Sequence, residues 1–210
     1  MKVRARGFTL LEVLLATALL AAGLALAFAT LRSATAVAGR GEAMAREQER
    51  IRAVDGYLRT RLAAALPIAL ATDRTTGMAS RFIGEPQRMR FVAELPGYLG
   101  RGGPHLHDLA VASTGRALEL RLAFAMVQGG EVLEDTRLSE RLAGDLRRVA
   151  FRYRGLDAEG TLGPWMDHWE ATDLLPLQVA VHVESADGSP WPTLIVTLTR
   201  SDGGAVGRGF

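Results

Sequence analysis

Glu12 is the one charged residue in Phe8–Leu31, FTLLEVLLATALLAAGLALAFATL, a run of twenty-four residues. At the centre of a membrane helix a carboxylate costs about 2.5–3.5 kcal/mol on insertion scales, so this one calls for a cationic partner. Other residues have the types needed for chemistry but not the spacing. In His105-Leu106-His107-Asp108 the two histidines would share one face of a strand. A metal site needs more ligands than these, and the preceding Gly-Arg-Gly-Gly-Pro stretch ending at Pro104 reads as loop, so surface histidines are expected. Asp157, Glu159, Asp167, Glu170 and Asp173 offer oxygen ligands without the periodicity of a calcium loop, and solvated turn acids are expected. Trp165, Trp169 and Trp191 are expected to cover a sheet. No catalytic, cofactor-binding or metal-binding residue is predicted.

Composition narrows the chemistry further. The 210 residues contain no cysteine, which excludes disulfides, cysteine-ligated metals and a thiol nucleophile. Lys2 is the only lysine, so a lysine phosphate clamp or Schiff base in the body of the protein is excluded. Basic residues number 25 against 23 acidic; setting aside Lys2, Arg4 and Arg6 leaves 22 against 23, a charge of −1. That balance gives no electrostatic reason to hold nucleic acid. The chain has no G-x-S-x-G elbow, no H-E-x-x-H pair and no phosphate-cradling loop.

The element that must position Glu12 is a helix. At 1.5 Å per residue, Phe8–Leu31 reaches about 36 Å, enough to cross a hydrocarbon core of about 30 Å. The basic leader, residues 1–7, keeps the amino terminus in the cytoplasm and places everything after Leu31 across the inner membrane in the periplasm of a Gram-negative cell. The run is longer than the apolar core of a cleaved secretory signal, and a plain anchor leaves Glu12 unexplained. Residues 32–66 continue as an amphipathic helix: Met44, Ile51, Leu58 and Ala65 recur every seven residues, with Val54 and Leu62 between them. Pro67 is expected to end it near Leu66, and Gly39 and Gly41 mark its weakest point.

Residues 67–210 read as β-rich. Leu118, Leu120, Leu122, Phe124 and Met126 alternate with polar or small residues, as do Val149, Phe151 and Tyr153, then Leu177, Val179, Val181 and Val183, then Leu194, Val196 and Leu198. One polar face per strand predicts antiparallel pairing. Met89–Glu94 and Leu109–Ser113 are shorter candidates, and Ser139–Leu146 reads as a possible short helix. The expected fold is α+β and pilin-like: a long N-terminal helix, membrane-spanning in its first half and amphipathic in its second, packed on an antiparallel sheet-rich domain.

Gly7-Phe8-Thr9-Leu10-Leu11-Glu12, behind basic residues and ahead of an unbroken apolar helix, resembles the class III signal of type IV pilins and type II secretion pseudopilins. The resemblance implies cleavage by prepilin peptidase between Gly7 and Phe8, N-methylation of Phe8, and retention of the helix in the membrane. It also implies a role in subunit assembly for Glu12, which neutralises the amino terminus of a neighbouring subunit. The segment from Asp145 to Val183, with its arginine and aromatic alternation, its Trp165 and Trp169 turn and the Leu175-Pro176 entry to a valine strand, is similar to minor pseudopilins of the J kind. That likeness implies a non-enzymatic part of the pseudopilus tip complex that starts assembly and supports export of folded proteins. Its partners would be the sibling minor pseudopilins of the I and K kinds, prepilin peptidase, the inner membrane and secreted cargo. Two alternatives stay open: a minor pilin of a type IV pilus, and a membrane-anchored periplasmic enzyme using carboxylates among Asp167, Glu170 and Asp173.

Overall fold

A computed structural model describes residues 9–72, 75, 77–95, 102–128, 131–133, 139–157 and 159–199. The chain divides into two compact units, Met1–Glu49 and Arg50–Phe210. Helix α1, Leu10–Ala63, runs through the first unit and into the second. Thr9 caps its start: the Glu12 amide donates to the Thr9 carbonyl and hydroxyl at 3.1 and 3.2 Å, occupying donors that would otherwise lack a partner. The helix passes Gly39 and Gly41 without a break. Every residue from Leu10 to Arg46 is exposed, Met44 included.

In the second unit, α1 turns one face inward. Val54, Leu58 and Leu62 are buried at intervals of four, and Ile51 is half-buried behind them, the spacing that stacks side chains on one side of a helix. The Arg59 and Arg61 guanidinium groups donate to the carbonyls of Ile195 and Glu94 at 3.3 and 2.7 Å. At the C-terminal end the Ala63 carbonyl accepts from the Thr199 hydroxyl at 2.7 Å. The helix ends three residues before Leu66. The residue before a proline is pushed out of the α region, and Leu66 instead donates its amide to Val92 at 2.7 Å.

The remaining elements, in chain order, are β1 (Ala71–Thr72), β2 (Ala79–Ser80), β3 (Phe82–Gly84), β4 (Arg88–Leu95), β5 (Gly103–Thr114), β6 (Ala117–Gln128), β7 (Glu131–Leu133), β8 (Glu140–Arg154), β9 (Gln178–Ser185) and β10 (Leu194–Thr197). Among the described residues, β1 and β2 form a small ribbon, and the main sheet runs β10-β9-β8-β6-β5-β4-β3 with β7 beside β6. All pairs are antiparallel, as the alternation implied. The face toward α1 carries the main core, and its centre is one row across four strands: Phe82, Phe91, His107 and Phe124 are successive cross-strand partners. Their rings lie 5.0–6.3 Å apart, within the range of favourable aromatic pairs. A smaller core on the opposite face joins Leu66 and Leu70 to Val92, Leu106 and Val127.

Beyond the end of β6, β8 finds new partners. The Phe151 amide donates to Pro86 at 2.9 Å, Tyr153 and Met166 exchange two backbone bonds of 2.8 Å, and Trp169 donates to Gly84 at 2.9 Å. The Tyr153 hydroxyl donates to the Glu85 carbonyl at 2.8 Å. The β3–β4 end of the sheet is thereby tied back to β8.

The structure corrects the short helix expected at Ser139–Leu146, which forms the first half of the fifteen-residue strand β8. Register shifts interrupt its pairing with β6 and with β9, and Asp145 sits at φ 55°. These bulges place the buried residues Ala143, Leu146 and Val149 three apart, a spacing that in sequence imitates a helix.

Candidate functional site

Glu12 lies in the first turn of α1. Its side chain is exposed and lines a shallow groove along the helix with Val13, Ala16, Thr17 and Leu20. These positions fall on one side of the helix, and Ala16 and Thr17 leave room for a neighbouring helix to approach. Among the described residues the Glu12 carboxylate has no ion-pair partner. The helix dipole favours a negative charge here by about 0.3–1 kcal/mol, less than the cost of placing it in hydrocarbon. Gly7 and Phe8, the predicted cleavage and methylation residues, lie outside the described residues. Thr9 escaped the sequence reading, although its signal was present: Thr9-x-x-Glu12 has the spacing of a helix capping box.

The other candidates are placed as follows. His105 and His107 are not surface residues, and the loop expected before them is partly strand. Gly103 begins β5, both histidines face the core, and His107 is fully buried. Its Nδ1 donates to the His105 carbonyl at 3.0 Å, and its ring lies between those of Phe91 and Phe124, with Tyr57 of α1 nearby. Burial, opposed by that hydrogen bond and assisted by the nearby Arg61, pushes the His107 pKa down to about 4. A neutral imidazole here substitutes for an aromatic ring in the row. Cross-strand register decided this, and no local pattern announces it.

Asp157 closes its own turn, accepting from the Thr161 hydroxyl and amide at 2.6 and 2.8 Å, which holds its carboxyl below the ordinary range. Asp167 pairs with Arg152 at 2.9 Å, and the Asp173 carbonyl accepts from Arg81. Among the described residues, no three histidines or acids come together as a metal site. Trp169 and Trp191 are buried, their indole NH groups donating to the Leu174 carbonyl and the Ser185 hydroxyl at 2.9 Å. Arg154 stacks 4.4 Å over Trp165.

Residues 2–28 match the family model of the prokaryotic N-terminal methylation motif. Over 207 residues the chain is 53% identical to type II secretion system protein J of Xanthomonas campestris pv. campestris, covering 97% of this chain and 98% of that protein. The chain belongs to the type II secretion system protein J family. A chain in the crystal structure of the GspK-GspI-GspJ complex from the enterotoxigenic Escherichia coli type 2 secretion system aligns at a TM-score of 0.44 and 13% identity, over 72% of this chain and 96% of that one. For a J-family protein, the site to be explained is the exposed apolar half of α1 with its single carboxylate.

Proposed function

We propose that this protein acts as the J-kind minor pseudopilin of a type II secretion system, processed between Gly7 and Phe8 and held by one membrane span, with its β-rich domain in the periplasm. On this reading residues 1–7 are the leader, 8–31 the span, 32–66 the amphipathic continuation and 67–210 the periplasmic domain. The observation that carries it is Glu12: a carboxylate that has no ion-pair partner among the described residues, on the exposed, apolar first turns of α1. Cleavage after Gly7 would free an amine on Phe8. Between adjacent subunits, the amine of one and the Glu12 carboxylate of the other would each lower the desolvation cost of the other in a low-dielectric helical bundle. The small residues on the Glu12 side of α1 allow that approach.

Membership in the J family supports assembly with sibling minor pseudopilins of the I and K kinds at the pseudopilus tip. The protein's part is mechanical and non-catalytic: α1 positions the subunit among its neighbours, and the sheet domain presents a surface beyond the membrane. The test is the mass of the chain purified from cells that contain prepilin peptidase. It should correspond to a chain beginning at N-methylated Phe8, and Gly7→Val should leave a chain beginning at Met1. A native chain that retains Met1 would overturn the proposal.

A further inference from the structure

We propose that a trough on the outer face of β8 and β9, floored by Ala150 and framed by Arg148, Arg152 and His182, docks the carboxylate side chains of an extended acidic segment from a partner protein. The register builds it. Arg148, Ala150 and Arg152 follow one another along the face of β8 that points away from α1, and their cross-strand partners on β9 are Glu184, His182 and Ala180. The small side chain of Ala150 therefore opens a gap between two arginines, with an imidazole opposite it. The 165–169 segment closes one side through Asp167, and the Pro190–Thr193 segment closes the other, enclosing about 490 Å³. Ligand-binding clefts typically enclose about 300–1,000 Å³, so the trough suits a few side chains rather than a globular surface.

The charge pattern selects the occupant. Glu184 is engaged by Arg147 at 3.4 Å, and Asp167 by Arg152 at 2.9 Å. Arg148 is left with no ion-pair partner among the described residues. His182 has only a 3.4 Å contact with the Thr193 hydroxyl; burial first, then the fields of Arg152 and Arg148, hold its pKa below the ordinary value. Around the trough, Arg147, Arg148 and Arg152 thus set three guanidinium groups against two carboxylates, Glu184 and Asp167, which leaves one positive charge, that of Arg148, without a counterion among the described residues. The Arg152–Asp167 pair shows the geometry this face offers to a carboxylate, and with side chains 41% and 63% exposed it is weak enough to exchange partners. Trp191 spends its indole NH on Ser185 and offers the trough only apolar edge. An extended segment presents alternate side chains to one face about 7 Å apart, so acids at every second position would reach both Arg148 and the gap over Ala150.

The test uses the full chain in detergent micelles at low ionic strength, titrated with the capped peptide Gly-Glu-Ser-Glu-Gly-Glu and with its glutamine counterpart. The readouts are the His182 imidazole resonance across pH and the binding isotherm. The glutamate peptide should bind and raise the His182 midpoint, and the glutamine peptide should do neither. Arg148→Glu and Ala150→Met should each weaken binding at least tenfold. Arg116→Glu, the same charge change in the exposed turn between β5 and β6, should leave it unchanged. Arg148 is exposed, so that variant keeps the test valid if Ala150→Met perturbs the sheet. Equal binding of the glutamine peptide, equal loss from Arg116→Glu, or an equal His182 shift with citrate alone would each overturn the proposal.

Discussion

Gly84 is a glycine because of what stands over it. A Cβ there would lie 2.7–2.9 Å from three carbons of the Tyr153 ring, closer than carbon atoms approach without displacement. Tyr153 is fully buried, packs edge-on against Phe82 at 5.6 Å and donates its hydroxyl to Glu85, so the ring has nowhere to retreat. Gly84→Ala is expected to destabilise the protein by about 1–3 kcal/mol, the usual cost of overpacking, read as a lower denaturant midpoint by tryptophan fluorescence of the full chain in micelles. His107 sets a pH dependence of its own. Its pKa falls from 6.5 to about 4 on folding, so between those values the unfolded chain takes up a proton that the folded chain refuses. Stability contributed by the neutral ring is complete above pH 6.5 and declines as pH falls toward 4, by a total on the order of 3 kcal/mol. His107→Phe, which keeps an aromatic ring in the row, should flatten that part of the stability profile. An unchanged slope would mean that other groups dominate acid sensitivity.

At the scale of elements, α1 is one helix with two environments. From Leu10 to Arg46 its side chains are exposed, while Val54, Leu58 and Leu62 are buried in the core of the second unit. The heptad reading of Met44, Ile51, Leu58 and Ala65 found the right face but extended it too far toward the amino terminus. Periodicity tells which residues share a side and cannot tell where the covering surface stops. Leu58→Ala should therefore cost about 2–5 kcal/mol in unfolding free energy, as core truncations do, and Met44→Ala should stay within about 0.5 kcal/mol. A large effect of Met44→Ala on isolated protein would show that the helix is covered further up. β8 shows the complementary error. Val149, Phe151 and Tyr153 alternated visibly, whereas the bulges around Asp145 put Ala143 and Leu146 out of phase. The strand was legible only where its pairing was regular.

At the scale of the whole molecule, the pseudopilin reading depends on a contact that a single chain cannot make. Glu12→Leu removes a charge from the apolar segment and should leave membrane insertion intact. It should also reduce co-purification with sibling minor pseudopilins severalfold in detergent extracts, and full co-purification would remove Glu12 from the assembly role. Residues 2–28 carried most of this in plain view, because a membrane helix is specified by length and apolarity alone and an intruding carboxylate stands out by type. The antiparallel β class was equally readable, since a sheet with one wet face writes its alternation into each strand. The sequence therefore determined the helix and the class of the domain, and it singled out Glu12 as the one charge in the apolar run. Only the tertiary structure decided that His107 belongs to an aromatic row, that Gly84 must yield space to Tyr153, and that Arg148, Arg152 and His182 surround Ala150. Each of these is set by cross-strand register and chain closure between residues distant in sequence, and no local pattern encodes which strand will lie beside which.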